Sequence, residues 1–166
     1  MRKIANKRKE QVLSELEIQT IELIRNAFAS TPYPGDENLI LDRGPEDIEC
    51  LSVKGNLAGR NWQEVAPSIL AKSYPLSCLT PAAYHYFLPA YLCLILEHYD
   101  QADVLVGDII FNLSNESTRF QDVVQLLSPI EKTAIKEFLH CVQSIHGNNF
   151  PDQMPLRVLE HHWKNF

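Results

Sequence analysis

Thr80-Pro81-Ala82-Ala83-Tyr84-His85-Tyr86-Phe87-Leu88-Pro89-Ala90-Tyr91-Leu92-Cys93-Leu94-Ile95-Leu96 is the stretch whose reading decides the fold. A threonine hydroxyl can accept an orphan amide hydrogen at a helix start, and proline at the next position loses no hydrogen bond. The pattern therefore predicts a helix that opens at Thr80-Pro81 and runs to about His98. Tyr84, Phe87, Leu88, Tyr91, Leu92, Leu94, Ile95 and Leu96 make it apolar on nearly every face, which a helix exposed on one side would not tolerate. It belongs at the centre of an all-α fold. Pro89 falls in its middle, where it removes the hydrogen bond to the carbonyl of His85 and predicts a kink.

Outward from this helix the periodicity stays helical. Leu13, Leu16, Ile21, Ile24 and Phe28 predict an amphipathic helix from about Glu10 to Ala29, stopped by the prolines and glycine of Ser30-Thr31-Pro32-Tyr33-Pro34-Gly35-Asp36. Pro45 followed by Glu46, Asp47 and Glu49 reads as a first helical turn, giving a short helix to about Gly55. A further helix is expected from Trp62 to Lys72, with Pro67 as a place for a kink. Asp100 or Asp103 starts a helix through Val104, Leu105, Ile109, Ile110 and Leu113, for which a strand is the alternative, and the polar residues 114–118 end it.

Ser128-Pro129-Ile130-Glu131 satisfies the capping-box pattern and opens a helix to about His146. Gly147-Asn148-Asn149 suits a left-handed helix end, and a last short helix covers Leu156 to Lys164. The sum is an all-α, single-domain helical bundle of about six to seven helices around a central Pro-kinked helix. It occupies residues 10–166, after a basic N-terminal extension at 1–9 that carries Arg2, Lys3, Lys7, Arg8 and Lys9.

A chain of 166 residues fits one domain, and its net charge of -6 is unevenly spread. Beyond position 9 there are 10 basic against 21 acidic residues. Such a body repels a phosphate backbone, so no nucleic-acid partner is expected. The longest apolar stretch, Tyr86 to Leu96, is far short of the ~20 residues that span a bilayer, and polar residues from Lys7 to Glu17 interrupt any leader. Cys50, Cys78, Cys93 and Cys141 include no CxxC pair, which suggests neither disulfides nor structural zinc but free thiols in a reducing, cytoplasmic setting.

Chemistry has few places to reside. Tyr84, His85, Tyr86 and Tyr91 surround the break at Pro89 and are the candidate lining of a small-ligand pocket, with His85 as acid or base and Tyr86 as orienting group. His161 and His162 point about 100° apart on a helix and so cannot easily share a metal; no metal or other cofactor is expected. No nucleophile elbow, phosphate-binding glycine loop or dinucleotide fingerprint is present, and the balance leans away from an enzyme. Asp36, Glu37, Asp42, Glu46, Asp47 and Glu49 gather in and after the proline loop. Asp36, Glu37, Asp47 and Glu49 with Trp62 form the candidate surface for a basic protein partner.

The first reading is accordingly a cytosolic interaction protein of the immunity or accessory kind, and the second a small enzyme or ligand-binding protein built on the Pro89 kink. A third is an oligomeric role anchored by Trp62, Trp163 and Phe166.

One resemblance bears on these readings. Glu49-Cys50 upstream of Gly59 and Trp62, the run from Leu79 to Tyr91, Ala102-Asp103 and Leu127-Ser128-Pro129 together resemble a family of small bacterial proteins of unknown function, over about residues 20–142. The resemblance implies no activity. Members often carry an acidic residue where this chain has Ala82, so it implies no role for a carboxylate there.

Overall fold

The computed structural model describes residues 12–102, 104–114, 118–150 and 152–166, so the basic extension at 1–9 and Asp103 lie outside the described residues. The fold is all-α, and the described residues contain no strand, only an isolated antiparallel bridge between Ile40 and Leu79. The helices are α1 (Glu15–Ala27), α2 (Ile48–Leu57), α3 (Pro67–Lys72), α4 (Pro81–Glu97), α5 (Tyr99–Ala102), α6 (Val104–Asn112), α7 (Thr118–Leu126), α8 (Pro129–His146) and α9 (Met154–Val158). A π-turn over Leu159–Trp163 extends the last of these.

The central helix forms where the sequence puts it. Thr80 Oγ1 accepts from the amide of Ala83 and Pro81 takes the first helical position. From Tyr86 to Leu96 every residue of α4 is buried, Pro89 among them. Helix α4 packs against α1 on one side and α7 on another, while α3 and α6 approach it elsewhere.

Helices α1 and α8 run antiparallel and share the most extensive helix pairing in the fold. Both open with a complete capping box: Ser14 with Glu17, and Ser128 with Glu131. Each glutamate returns to the backbone amide of its serine, at 2.7 Å and 2.6 Å, while the serine oxygen receives the glutamate's own amide. Two orphan donors per helix are thereby satisfied. The buried faces meet through Ile21 and Ile24 on α1 and Ala134, Ile135, Phe138 and Val142 on α8.

Three local expectations are corrected. Residues 62–72 do not make one kinked helix: Trp62–Glu64 is a 3₁₀ turn, Ala66 is extended, and Pro67 is the first residue of α3. A residue before proline is pushed out of the α region, so the proline starts a helix here. Gly147 does not take a left-handed end but stays right-handed (φ −53°) and carries the chain into a 3₁₀ turn to Asn149. The left-handed residue is Gln153 (φ 50°), just ahead of α9. Helix α7 adds an element in a stretch to which the sequence reading assigned none, and there Phe120, Val123, Val124 and Leu127 bury themselves at helical spacing.

The far end of the core is closed by Trp163, whose indole N–H donates to the carbonyl of Leu113 at 2.7 Å. Its ring meets Phe120, which in turn meets Tyr84 edge to face.

Truncating Phe138, fully buried in α8, is expected to cost about 3–5 kcal/mol as Phe138→Ala. Truncating an exposed residue of the same helix as Ile130→Ala is expected to cost within about 0.5 kcal/mol, because Ile130 is 54% exposed. Urea unfolding of the two variants, read by circular dichroism, measures both.

Candidate functional site

Helical rotation of about 100° per residue sends His85 and Tyr86 away from Tyr84 and Tyr91, which lie seven residues apart on one side of α4. Tyr84 turns inward to Phe120, and its hydroxyl is buried without a hydrogen-bond partner. Burial pushes its phenol well above the ordinary range. Tyr86 packs edge to face on Tyr33 and accepts weakly from the backbone amide of Trp62 at 3.4 Å. Tyr91 donates to the carbonyls of Ser73 at 2.9 Å and Leu70 at 3.4 Å, closing the C-terminal end of α3.

His85 is instead engaged with α8. Its Nε2 lies 2.9 Å from Glu131 Oε1, which also accepts from the hydroxyl of Thr31 at 2.8 Å. The other carboxylate oxygen accepts from the amide of Ser128. Burial works to raise the Glu131 pKa, but the donors His85, Ser128 and Thr31 outweigh it and bring it down to about 2. A carboxylate only accepts, so the proton of the contact sits on His85 Nε2. One side chain thus joins the start of α8, the face of α4 and the loop after α1.

A related contact lies at the opposite end of the α1 and α8 pair. Glu17, the capping glutamate of α1, faces His146 at 3.9 Å, beyond hydrogen-bond reach, and the facing atoms are buried and unpartnered. His146 stacks on Tyr99 with ring centroids 3.5 Å apart. Burial lowers its pKa, and the charges of Glu17 and Asp100 oppose that shift.

Some acidic residues of the segment 36–49 bond to the chain around them and others stand clear of it. The carboxylate of Asp36 accepts from the hydroxyl of Tyr33 and, at 2.9 Å, from the amide of Gly59. These bonds hold its pKa below the ordinary value, while burial and the Asp36 bond push the Tyr33 phenol up to about 12. Gly59 takes φ 68° immediately after the end of α2, a left-handed position that glycine fills without strain. Asp47 caps α2 by accepting from the amide of Cys50 at 3.0 Å. Glu37, Asp42, Glu46 and Glu49 are exposed. Trp62, expected at this surface, is buried at 4% exposure beneath α4 and belongs to the core, because the 3₁₀ turn aims its ring inward.

Two apolar residues stand among these acids. Ile48 is 77% exposed and Leu51 46%, one helical turn apart on the same side of α2. Beside them a hollow is lined by Glu37, Asp42, Arg43, Cys50, Leu51 and Lys54. The surface continues to Tyr74, whose hydroxyl donates to Asp108. Asp108, burial and the charge of Glu49 push that phenol up to about 12, so Glu49 and Asp108 act on the same group. Phe111, one turn beyond Asp108 on α6, is also exposed.

The cysteines correct the expectation of four free thiols. Cys50 and Cys78 form a disulfide with Cα atoms 5.1 Å apart, although 28 residues separate them in sequence. The first turn of α2 packs on the turn at Leu76–Cys78, a proximity that linear spacing does not reveal. With two of the four cysteines paired, the cysteine pattern no longer points to a reducing compartment. Cys93 and Cys141 are free and buried, and burial pushes their thiols up to about 12 and about 11.

An all-α domain with one disulfide, two capping glutamates that each face a histidine, and an acidic face bearing exposed apolar residues is the class these observations define. The chain belongs to the Family of unknown function (DUF6714), whose family model matches residues 17–166. Neither a curated protein nor a solved structure matches it. No helix among the described residues is long and apolar enough to cross a membrane.

Glu131, at 5% exposure, links stability to acid. Its folded pKa lies below the ordinary 4.5, so its contribution is complete above that value and is lost as pH falls toward about 2. That contribution is expected to be about 3 kcal/mol. Glu131→Gln should be less stable than the natural chain at pH 7 and converge with it near pH 2, as measured by thermal unfolding across that window.

The disulfide closes a loop whose entropy predicts about 3–4 kcal/mol of stabilisation. Thiol titration in denaturant without reductant should count two reactive thiols, and reduction should lower the unfolding free energy by that amount.

Proposed function

We propose that this protein is an interaction module whose acidic face around residues 36–51 receives a basic protein partner. The observation that carries this reading is the pair Ile48 and Leu51, exposed on one side of α2 within a segment where six carboxylates between Asp36 and Glu49 accompany a single basic residue, Arg43. Exposed aliphatic groups supply contact area that can be desolvated, and a rim of one sign of charge steers and registers a partner of the other sign. Tyr74 and Phe111 extend the same face toward α6 with aromatic rings, a residue type enriched at interface hot spots. Arg43 and Lys54 beside the hollow leave it less acidic than its rim, which suits a partner that inserts an apolar side chain there and places its cations around it.

The alternative, a small-ligand site at Pro89, has less support. Tyr91 is spent on the carbonyl of Ser73, Tyr84 packs on Phe120, and His85 is already held by Glu131.

Affinity purification of the tagged natural chain and of an Ile48→Ser/Leu51→Ser variant from the native host tests the interaction reading. A basic protein should co-purify with the natural chain at near-equal amount, weaken between low and moderate salt, and bind the variant at least about tenfold less tightly. Identical co-purification by the two chains, or none by either, overturns the reading. Both substituted side chains are exposed, so the variant is expected to keep its unfolding midpoint.

A further inference from the structure

The disulfide lies beside a third group that can ligate a metal. Each of Asp47, Cys50 and Cys78 offers one ligand atom, and these atoms all lie within 4.8 Å of one another. We propose that Asp47, Cys50 and Cys78 hold a zinc ion when the disulfide is reduced. The proposal does not rest on the partner reading.

The donor set is one that zinc favours: two thiolates and a carboxylate, with Zn–S near ~2.3 Å and Zn–O near ~2.1 Å. A tetrahedral ion with those bond lengths sets neighbouring ligand atoms roughly 3.5–4 Å apart. Once the sulfur–sulfur bond opens, small side-chain rotations bring the present cluster to that spacing. A dithiol reductant supplies the two electrons: the bond between the Cys50 and Cys78 sulfurs breaks, the reductant's own sulfurs join, and both cysteines become thiols. Zinc then displaces both thiol protons to solvent, because only the thiolate is a ligand.

The frame around the cluster does not depend on the disulfide. The Cys78 carbonyl accepts from the amide of Leu41 at 2.9 Å, and Arg43 Nη2 donates to the carbonyl of Ser77 at 2.9 Å. The amide of Thr80 donates to the carbonyl of Leu39 at 3.0 Å. Val53 and Leu57 hold α2 to the core from its other turns. Reduction therefore leaves both cysteines close together. The bond from the Cys50 amide to Asp47 Oδ1 orients the carboxylate, as an outer-shell donor does in metal sites. Asp47 and Cys50 line the hollow beside α2, which gives an ion an entry path and a water a place in the fourth position.

In the empty reduced site both cysteines stay protonated, since burial and the neighbouring carboxylate penalise a thiolate, so the ion binds in exchange for two protons and its affinity rises with pH. Arg43 and Lys54 at the hollow offset the surplus charge once an ion is bound.

The test is titration of the fully reduced chain with Co2+ as a spectroscopic probe, under anaerobic conditions after removal of reductant. The expected result is one ion per chain, with a thiolate-to-cobalt charge-transfer band, tetrahedral visible bands and displacement by Zn2+. Cys50→Ser and Cys78→Ser should each lose the charge-transfer intensity of a two-thiolate site. Asp47→Asn should weaken affinity by more than about tenfold, the loss that changing even an outer-shell partner causes. If a cysteine variant fails to fold, alkylation of the natural reduced chain decides: Zn2+ should protect Cys50 and Cys78 and leave the rates at Cys93 and Cys141 unchanged. Absence of a charge-transfer band, or alkylation at Cys50 and Cys78 that ignores Zn2+, overturns the proposal.

Discussion

The carboxylate of Glu131 is the constraint on which the arrangement of the long helices depends. As the third residue of α8 it completes a capping box, and its oxygens also take donors from Thr31 and His85. A buried carboxylate is costly unless its lone pairs are filled, and this one is filled from three chain segments. Moving α8 relative to α4 or to the loop after α1 would strip a donor from a buried charge. The penalty for that is several times the ~1 kcal/mol of an ordinary hydrogen bond. Apolar packing brings α1, α4 and α8 together, and this polar contact fixes their register.

The same design recurs with a different outcome at the other end of the α1 and α8 pair. Glu17 also caps its helix and also faces a histidine, but His146 stands 3.9 Å away and leans on Tyr99 instead. Because α1 and α8 are antiparallel, the two glutamates sit at opposite ends of the pair, one closed on its histidine and one open. The loosely coupled end lies where α8 gives way to the 3₁₀ turn at Gly147–Asn149, and the tightly coupled end lies against the central helix.

Much of this could be read in the sequence, for a physical reason. Helix starts are local: Ser128-Pro129-Ile130-Glu131 and Thr80-Pro81 carry their capping partners within four residues, and burial of Tyr86 to Leu96 follows from a helix with no polar face. The box at Ser14 and Glu17 was equally local, though it lay inside a segment read as helix from about Glu10, and so was the spacing Phe120, Val123, Val124, Leu127 that forms α7, in a stretch to which no element was assigned. What could not be read is relative placement. His85 was recognisable as unusual, but its partner is 46 residues away. The two paired cysteines are no closer in sequence to each other than Cys50 is to several polar residues, and only the packing of α2 selects Cys78. Trp62 looked like an anchor, because whether an aromatic ring turns outward depends on the turn it sits in, here the short 3₁₀ turn that Asn61 caps and that packs on α4.

The acidic composition illustrates how placement changes the meaning of a count. Glu17 and Glu131 cap helices inside the core, Glu97 pairs with Arg25 at 2.7 Å, and Asp36 fastens the proline loop to the turn at Gly59. Asp47 caps α2 and Asp108 takes the hydroxyl of Tyr74. These carboxylates are committed to holding the chain, and their charge is partly neutralised by the groups that hold them. The charge that reaches solvent near α2 comes from Glu37, Asp42, Glu46 and Glu49, joined by the exposed Asp36, and it surrounds the positions where Ile48 and Leu51 break the polar surface. A negative charge of this kind, concentrated around apolar groups instead of diluted over the molecule, is an argument for a site, whereas the net charge of the whole chain is only an argument about solubility and long-range steering.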